Sequence, residues 1–359
     1  MSKAKAKTKN EPIFWLPRFT VKTLPHALSE TIDWGLHLLG VPTLWKQTMG
    51  SGQRIALLDT GASPGHEDLR EAYEDIQDFT GSRSGPFDQQ GHATHCAGII
   101  AARQNNFGVV GVSPKAMILA GKVLGDNGSG SHRQIAAGVR WAIDKKVDIV
   151  SMSLGSSQTT KELEESIKEA IKQNIVVVAA AGNEGPALST VGFPARYEGV
   201  ISVGSIDRQR LISRYSSRGK RVDVVAPGQD ITSCWPPNGL GTISGTSMAC
   251  PFVAGVIALM KAKPHEETPL DSPVQIIEHL HRTALDLGDP GFDEDYGFGL
   301  IDPGKLLDRP AERQDRTQSW WMDFLLFVIS KLGEKIRKGE QIFPADIERL
   351  KALYREAPK

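Results

Sequence analysis

Short apolar runs recur along the middle of the chain, and stretches with a helical period of apolar and charged residues separate them. The runs are rich in Ile, Val, Leu, Met and Ala, which is typical of strands buried on both faces of a sheet. The runs lie at 55–58, 117–120, 147–150, 175–178 and 200–203, and the clearest helical stretches at 131–145 and 160–173. Strands that alternate with helices predict a doubly wound, mainly parallel sheet with helices on both faces, a three-layer α/β/α fold.

The character of the sequence changes at both ends of this pattern. The start is Lys-rich and then aromatic with prolines, and the stretch after about residue 307 is polar before it becomes apolar again. We therefore predict a short N-terminal arm over 1–33, one large domain over 34–307, and a linker with a helical C-terminal extension over 308–359. The aromatic stretch 320–332 could be a membrane-surface helix, a dimer contact or a flap, and we favour packing on the domain or on a second subunit.

Composition narrows the class of protein. The 359 residues include 42 Lys and Arg and 42 Asp and Glu, so no net charge draws the chain to nucleic acid or to an anionic membrane. Three cysteines suit a reducing compartment. The apolar stretch 13–16 is ended by Pro17 and Arg18, so it is too short for a signal peptide, and no apolar run is long enough to span a membrane. We expect a cytoplasmic protein that binds no nucleic acid.

Three glycine-flanked segments carry the residue types of a nucleophilic centre. Asp59 follows the first apolar run, His92 lies in a Gly-His-Ala-Thr-His segment, and Ser247 lies in Gly-Thr-Ser-Met-Ala. In a doubly wound sheet, ligands bind beyond the carboxyl ends of the strands, so these segments can converge there. A serine hydroxyl needs a neighbouring imidazole as base, and the imidazole needs a carboxylate to orient it. The three residues are therefore a candidate catalytic triad.

The order Asp, His, Ser and the residues around each member resemble the subtilisin-like serine protease family, and in character the intracellular subtilisins. The matching segments are DTGASPGHEDL at 59–69, GHATHCAG at 91–98, AAAGNEG at 179–185 and GTSMACPFVAG at 245–255. The resemblance implies that Asp59 orients His92, that His92 is the general base and that Ser247 is the nucleophile. It also places the Asn183 amide in an oxyanion hole with the Ser247 N–H. The implied activity is that of a serine endopeptidase with an acyl-enzyme intermediate.

Two features of the second segment leave alternatives open. His92 and His95 both lie on one predicted helical turn beside Cys96, so the pair could also bind a metal, although no further ligand is evident. The resemblance selects His92 as the base and leaves His95 a structural role. Ala93 stands where the family usually has glycine, so a catalytically impaired binding or scaffold protein is the alternative to an active enzyme.

The resemblance also implies a peptide-binding cleft in which a protein or peptide substrate pairs as an added strand. One edge of the cleft would be Gly128, Ser129 and Gly130, and the other would be Ser153, Leu154 and Gly155. The walls of the primary specificity pocket would be Ala180, Ala181, Gly182 and Gly192. The small side chains leave the pocket roomy, and no acid lies at these wall positions. We expect a broad preference for large apolar residues before the scissile bond.

A Ca²⁺ site is implied in the same way. The ligands would be the Asp68 carboxylate, the Asn105 amide and the carbonyls of a loop, since Ca²⁺ prefers oxygen ligands. The loop residues are Arg103, Phe107 and Val109. The family's ligand from the mature N-terminus is not assigned. The alternative role for Asp68 is a helix cap.

The N-terminal arm is too short for the folding pro-domain of secreted members. Its Trp-Leu-Pro-Arg-Phe segment at 15–19 resembles in part the short extension of intracellular subtilisins, which lies across the active site. We expect the arm to occlude the cleft, with Pro17 spoiling the geometry needed for cleavage, until proteolysis removes it. A simple tether is the alternative. A homodimer is possible.

Overall fold

The computed structural model describes residues 13–16, 19–25, 27, 29–263, 270 and 272–308, all of which belong to one compact unit. The predicted linker and C-terminal extension lie outside the described residues, apart from residue 308. The same holds for Pro17 and Arg18 of the arm. The division into an arm, a domain and an extension therefore stays a prediction.

A seven-stranded parallel sheet forms the centre of the unit, with the strand order β10-β9-β8-β7-β3-β5-β4. Its strands are β3 (Arg54–Asp59), β4 (Tyr73–Asp78), β5 (Met117–Lys122), β7 (Ile149–Met152), β8 (Val176–Ala180), β9 (Val200–Ile206) and β10 (Val224–Pro227). Each of the five apolar runs lies in or overlaps one of these strands. The two strands without such a run, β4 and β10, are the edges of the sheet.

The two faces of the sheet bury separate apolar clusters under helices. Along β3, Ile55 and Leu57 belong to one cluster, and Ala56 and Leu58 belong to the other, because successive side chains of a strand point to opposite faces. The first cluster includes residues of α3 (His92–Ala101) and α6 (Thr246–Ala262), and the second includes residues of α4 (His132–Asp144) and α5 (Lys161–Lys172). The predicted three-layer α/β/α fold is confirmed.

The sequence of each crossover helix explains its start. Ser131 and Gln134 form a reciprocal capping box at α4, and the Thr160 hydroxyl accepts the Leu163 N–H at α5. The remaining α-helices of the described chain are α1 (Trp34–Leu38), α2 (Val41–Leu44), α7 (Pro273–Thr283) and α8 (Pro303–Leu307), and a 3-10 helix covers Glu67–Leu69. In the part of the chain that the structure describes, no helix combines the length and apolar character that a membrane span requires.

Two small sheets lie beside the central one. In the first, β1 (Ile13–Trp15) pairs antiparallel with β6 (Ser129–Ser131). In the second, β11 (Ile231–Trp235) pairs with β12 (Gly239–Ile243), which also pairs with β2 (Lys22–Leu24). The predicted arm therefore contributes one strand to each small sheet.

Candidate active site

Asp59, His92 and Ser247 lie at the ends and starts of buried elements. Asp59 is the last residue of β3, His92 is the first residue of α3, and Ser247 is in the first turn of α6. His92 Nδ1 donates to Asp59 Oδ1 at 2.8 Å and lies 3.0 Å from Oδ2. Both side chains are buried. The structure thus forms the predicted carboxylate–imidazole pair.

The environment of His92 acts on its pKa in two directions. Burial disfavours the charged imidazolium and lowers the pKa. The negative charge of Asp59 opposes this, with smaller contributions from Cys96, and the result is a pKa well above the ordinary histidine value. A raised pKa makes His92 a stronger base, but the imidazole is neutral, and able to accept a proton, only above that pKa.

Ser247 is held beside this pair through a shared neighbour. Cys96 Sγ lies 4.0 Å from His92 Nδ1 and 3.5 Å from the Ser247 carbonyl oxygen, so the starts of α3 and α6 adjoin. The Ser247 hydroxyl donates to the Ser153 carbonyl at 3.3 Å, and the Ser153 hydroxyl donates to the Ser247 carbonyl at 2.8 Å. No hydrogen bond among the described residues joins the Ser247 hydroxyl to His92.

Asn183 lies against the start of α6. Its Oδ1 accepts the Thr246 N–H at 3.0 Å and the Thr246 hydroxyl at 2.9 Å. With the amide oxygen held in this way, the amide NH₂ is the group that can donate to a ligand. Gly245, the residue before α6, has no side chain to cap the helix, and the first N–H groups of a helix lack intrahelical acceptors. Asn183 and the Ser247 N–H therefore suit an anionic oxygen.

The two predicted cleft edges hold strand β1 between them. Phe14 and Trp15 pair with Gly130 and Ser129 on one side. On the other side, the Trp15 N–H donates to the Gly155 carbonyl at 3.3 Å. A Cβ atom at Gly130 would lie 2.1 Å from the Val123 carbonyl oxygen, so only glycine allows this close approach. The groove accommodates an extended peptide through main-chain hydrogen bonds.

The predicted pocket walls also come together. The Gly192 N–H donates to the Ala181 carbonyl at 3.0 Å, and Ala181 follows directly after Ala180 at the end of β8. Gly182 has a φ of 115°, which favours glycine. Leu154, at the other edge, is buried.

A carboxylate that the sequence reasoning missed lies beside this wall. Glu184 Oε2 accepts the Ser217 hydroxyl at 2.9 Å and would be 2.4 Å from a Cβ atom at Gly182. Glu184 directly follows Asn183 in the sequence, but the reach of its side chain to Gly182 leaves no signal there. No acid occurs at the predicted wall positions themselves, and the contact of a neighbouring side chain with the wall is not visible in the sequence.

The predicted calcium ligands lie together, because hydrogen bonds join Asp68 to the loop 103–109. The fully buried Asp68 carboxylate accepts the Asn105 Nδ2–H at 3.0 Å and the Val109 N–H at 3.0 Å. The Arg103 N–H donates to the Asp68 carbonyl at 2.9 Å, and the Phe107 N–H donates to the Asn105 amide oxygen at 3.2 Å. The five residues thus meet, and their carboxylate, amide and carbonyl oxygens are the hard donors that Ca²⁺ prefers.

Glu30 joins this loop, although the sequence reasoning assigned no such residue. Its Oε2 accepts the Asn105 N–H at 3.0 Å, and its own N–H donates to the Asn106 carbonyl at 3.1 Å. Nothing in the local sequence pairs residues that lie so far apart along the chain. The contact arises because the last residues of the predicted arm run alongside the loop, where Thr31 bridges to Val109.

His95 has a structural position. Its Nε2 lies 3.0 Å from the carbonyl oxygens of Ile231 and Gly241, and so links β11 to β12. Burial is the main cause that lowers its pKa to about 3, so the ring is neutral. Among the described residues, two groups of His, Cys, Asp or Glu side chains bring three ligand atoms within 4.8 Å of one another, Asp59–His92–Cys96 and His66–Asp68–Cys234. Neither contains His95, so the paired-histidine metal hypothesis has no support.

Comparison with known proteins shows the family to which the chain belongs. Residues 50–299 match the model of the Subtilase family. The chain is 43% identical over 289 residues to the intracellular serine protease of Paenibacillus polymyxa, covering 78% of this chain and 88% of that protein. It is 40% identical over 283 residues to the major intracellular serine protease of Bacillus subtilis (strain 168), covering 74% of this chain and 89% of that protein. The chain belongs to the subtilase family and is a subtilisin-type serine peptidase.

Proposed function

We propose that the protein is an endopeptidase in which Asp59, His92 and Ser247 form the catalytic triad. The observation that carries the proposal is the buried hydrogen bond from His92 Nδ1 to Asp59, formed where α3 adjoins the start of α6. That bond fixes the imidazole tautomer, so that Nε2 is the basic nitrogen. Proteins or peptides are the substrates of a peptidase. The two cleft edges present main-chain hydrogen-bonding groups to β1, and such edges suit an extended substrate chain.

The reaction follows from the placement of these groups. The Ser247 hydroxyl oxygen attacks the scissile carbonyl carbon while His92 Nε2 takes the hydroxyl proton. The carbonyl oxygen becomes anionic and accepts hydrogen bonds from the Ser247 N–H and the Asn183 amide. His92 then gives its proton to the leaving amine, which leaves an acyl-enzyme on Ser247. Water hydrolyses this ester with His92 again as the base.

The cleft supports a broad preference for apolar side chains. The pocket wall is made of alanine and glycine, which leaves room for a large residue before the scissile bond. A second apolar contact lies further along the strand, where the buried Phe14 ring meets the His132 ring edge-on with their centres 4.8 Å apart. The Glu184 carboxylate at the wall adds one place at which a cationic side chain can be accepted.

The arm is proposed to hold the enzyme inactive until it is cleaved. Strand β1 occupies the groove between the two cleft edges, and β2 pairs with β12 beyond it. Between these strands, the Phe19 ring lies with its centre 5.6 Å from that of His92. A substrate strand and β1 require the same main-chain partners, so they exclude each other.

Calcium is proposed to stabilise the loop that carries Asp68 and Asn105. Asp68, Asn105 and the carbonyls of Arg103, Phe107 and Val109 would hold the ion, with Glu30 close enough to contribute. The positive charge of the ion would offset the negative charge of the buried Asp68 carboxylate. It takes no part in the reaction. The hydrogen bonds of Glu30 and Thr31 to the loop would then fix the end of the arm.

We also propose an intracellular location, because the two relatives named above carry that word in their names. The alternative of an impaired scaffold rested on Ala93. The His92–Asp59 hydrogen bond forms beside this residue, and the Ala93 N–H donates to the Thr60 hydroxyl oxygen at 3.0 Å. The extra methyl group is therefore compatible with the catalytic pair, and no observation favours the scaffold.

A fluorophosphonate probe is expected to label Ser247, with a rate that depends on the state of His92. Because Asp59 raises the pKa of His92 above the ordinary value, labelling falls as the pH drops through that pKa and the imidazole becomes protonated. Asp59→Asn should reduce the rate about 10⁴-fold. The measurement is the labelling rate across pH with peptide mapping of the product.

Two variants control this test. Ser247→Ala should abolish labelling, and Ser166→Ala, which removes another buried serine hydroxyl on α5, should not change it. A label on a different residue, or none on Ser247 after the arm is cleaved, would refute the proposed nucleophile.

Phe14→Ala is expected to activate the full-length protein. Truncation of a buried aromatic ring costs about 3–5 kcal/mol. Each 1.4 kcal/mol lost from the free energy of arm docking raises the ratio of open to arm-occupied clefts about tenfold. The measurement is the initial rate on a short apolar peptide, with the N-terminus checked by mass spectrometry. Ile13→Ala is the matched control, since this side chain is half-exposed on the same strand, and it should change the rate little. Equal rates for both variants and the wild type would contradict the role of the arm.

Asp68→Asn is expected to abolish the effect of calcium on stability. Saturating Ca²⁺ should raise the Tm of the wild type by about 5 °C or more, because a ligand at 100 times its Kd adds about 2.7 kcal/mol. The variant should show a Tm that does not depend on calcium. Asp302→Asn, which changes a cap of α8 instead, should keep the full calcium shift. A calcium shift that persists in Asp68→Asn would rule out this site.

A further inference from the structure

A buried carboxylate outside the proposed triad accepts five hydrogen bonds at the start of α3. Asp88 is only 5% exposed. Its Oδ1 accepts the Thr60 hydroxyl at 2.9 Å, the Gln90 N–H at 3.0 Å and the Gly91 N–H at 2.9 Å. Its Oδ2 accepts the Thr94 N–H at 2.8 Å and the Thr94 hydroxyl at 2.6 Å. Both oxygens are therefore fully engaged.

These bonds replace a cap that α3 lacks. The residue before the helix is Gly91, which has no side chain to accept the first N–H groups. Asp88 accepts two of the N–H groups at this end, those of Gly91 and Thr94, and the Thr60 hydroxyl accepts that of Ala93. A negative charge at the N-terminus of a helix is also favoured by the helix dipole. Asp88 thus fixes the turn on which His92 lies.

Thr60 extends the same network to the other half of the pair. Its N–H donates to Asp59 Oδ1 at 2.7 Å, and its hydroxyl donates to Asp88 while accepting from Ala93. Thr60 follows Asp59 in the chain, and Ala93 follows His92. The network therefore joins the backbone next to the carboxylate to the backbone next to the imidazole, and it sets the separation of the two side chains.

We propose that Asp88 is a positioning residue for the base of the reaction, and that it acts through Thr60 and the first turn of α3. It touches neither the substrate nor the reacting atoms. The inference rests on the proposed function, in which His92 transfers the proton. Loss of the network lets His92 move relative to Asp59 and Ser247. Because proton transfer is sensitive to such displacement, the effect falls on kcat.

Asp88→Asn tests this in the full-length chain carrying Phe14→Ala, which loosens the arm equally in every sample. The amide has the size of the carboxylate, but its NH₂ group faces donors that need an acceptor. The expected result is a kcat per titrated active site that falls about 10- to 100-fold, with KM within about twofold, since small misplacements of catalytic groups cost up to about 10²-fold. Active sites are counted by stoichiometric reaction with the fluorophosphonate.

Asp33→Asn is the matched control. Asp33 is another buried carboxylate that caps a short helix, accepting the Gly35 N–H at 2.8 Å and the Thr232 N–H at 3.0 Å. Its loss should lower the Tm and leave kcat per titrated site within about twofold, which is the outcome of a purely structural defect. Thr60→Val is a second variant, which removes the bridging hydroxyl and keeps the shape. It should also lower kcat with KM unchanged, and it serves if Asp88→Asn does not fold.

These measurements distinguish a failure of the proposed function from a failure of the positioning role of Asp88. If the parent protein is not labelled on Ser247, the proposed function fails. If the parent is labelled and active, but the variants at Asp88 and Thr60 keep kcat per site within about twofold, the positioning role of Asp88 is overturned. A rise in KM at constant kcat would overturn it as well, because it would place the residue in substrate binding.

Discussion

The hydrogen bond between the buried carboxylate of Asp59 and the imidazole of His92 is the interaction around which the site is built. A carboxylate without access to water is costly unless it is paired and hydrogen-bonded. Asp59 meets this condition with the His92 Nδ1–H and the Thr60 N–H. The fold supplies both partners. Strand β3 ends at Asp59 beside the start of α3, which packs on the face of the sheet to which Leu57 points.

A second constraint comes from the cleft, where recognition depends on the main chain. The edges that hold β1 present carbonyl and N–H groups, and Gly130 leaves no room for a side chain beside Val123. Main-chain pairing is tolerant of sequence, and the groove that holds the arm is for this reason also the proposed substrate groove. The fit of Phe14 into an apolar site is the part that depends on side chains. The groove would thus serve recognition and regulation with the same groups.

Much of the fold followed from the sequence because the central strands are buried on both faces and read as apolar runs. The edge strand β4 (Tyr73–Asp78) was not predicted, because charged residues interrupt its apolar positions. It pairs with β5 alone, so it is not enclosed by strands on both sides. The residues of the proposed triad could be named because each lies in a local motif. Glu30, Glu184 and Asp88 could not be found in that way. Their roles arise from contacts between distant segments or from side-chain reach, neither of which leaves a periodic or local signal.

The arm and a substrate are proposed to compete for one strand position beside the proposed triad. Residue-resolved amide hydrogen exchange of the full-length protein, with and without a saturating peptide aldehyde inhibitor, tests it most directly. The Trp15 and Leu16 N–H groups, which donate to the Gly155 and Gly128 carbonyls, should be protected in the free protein. They should exchange at the rate of an unfolded chain once the inhibitor is bound. If they stay protected while the inhibitor occupies Ser247, or are unprotected from the start, competition for this strand position is ruled out.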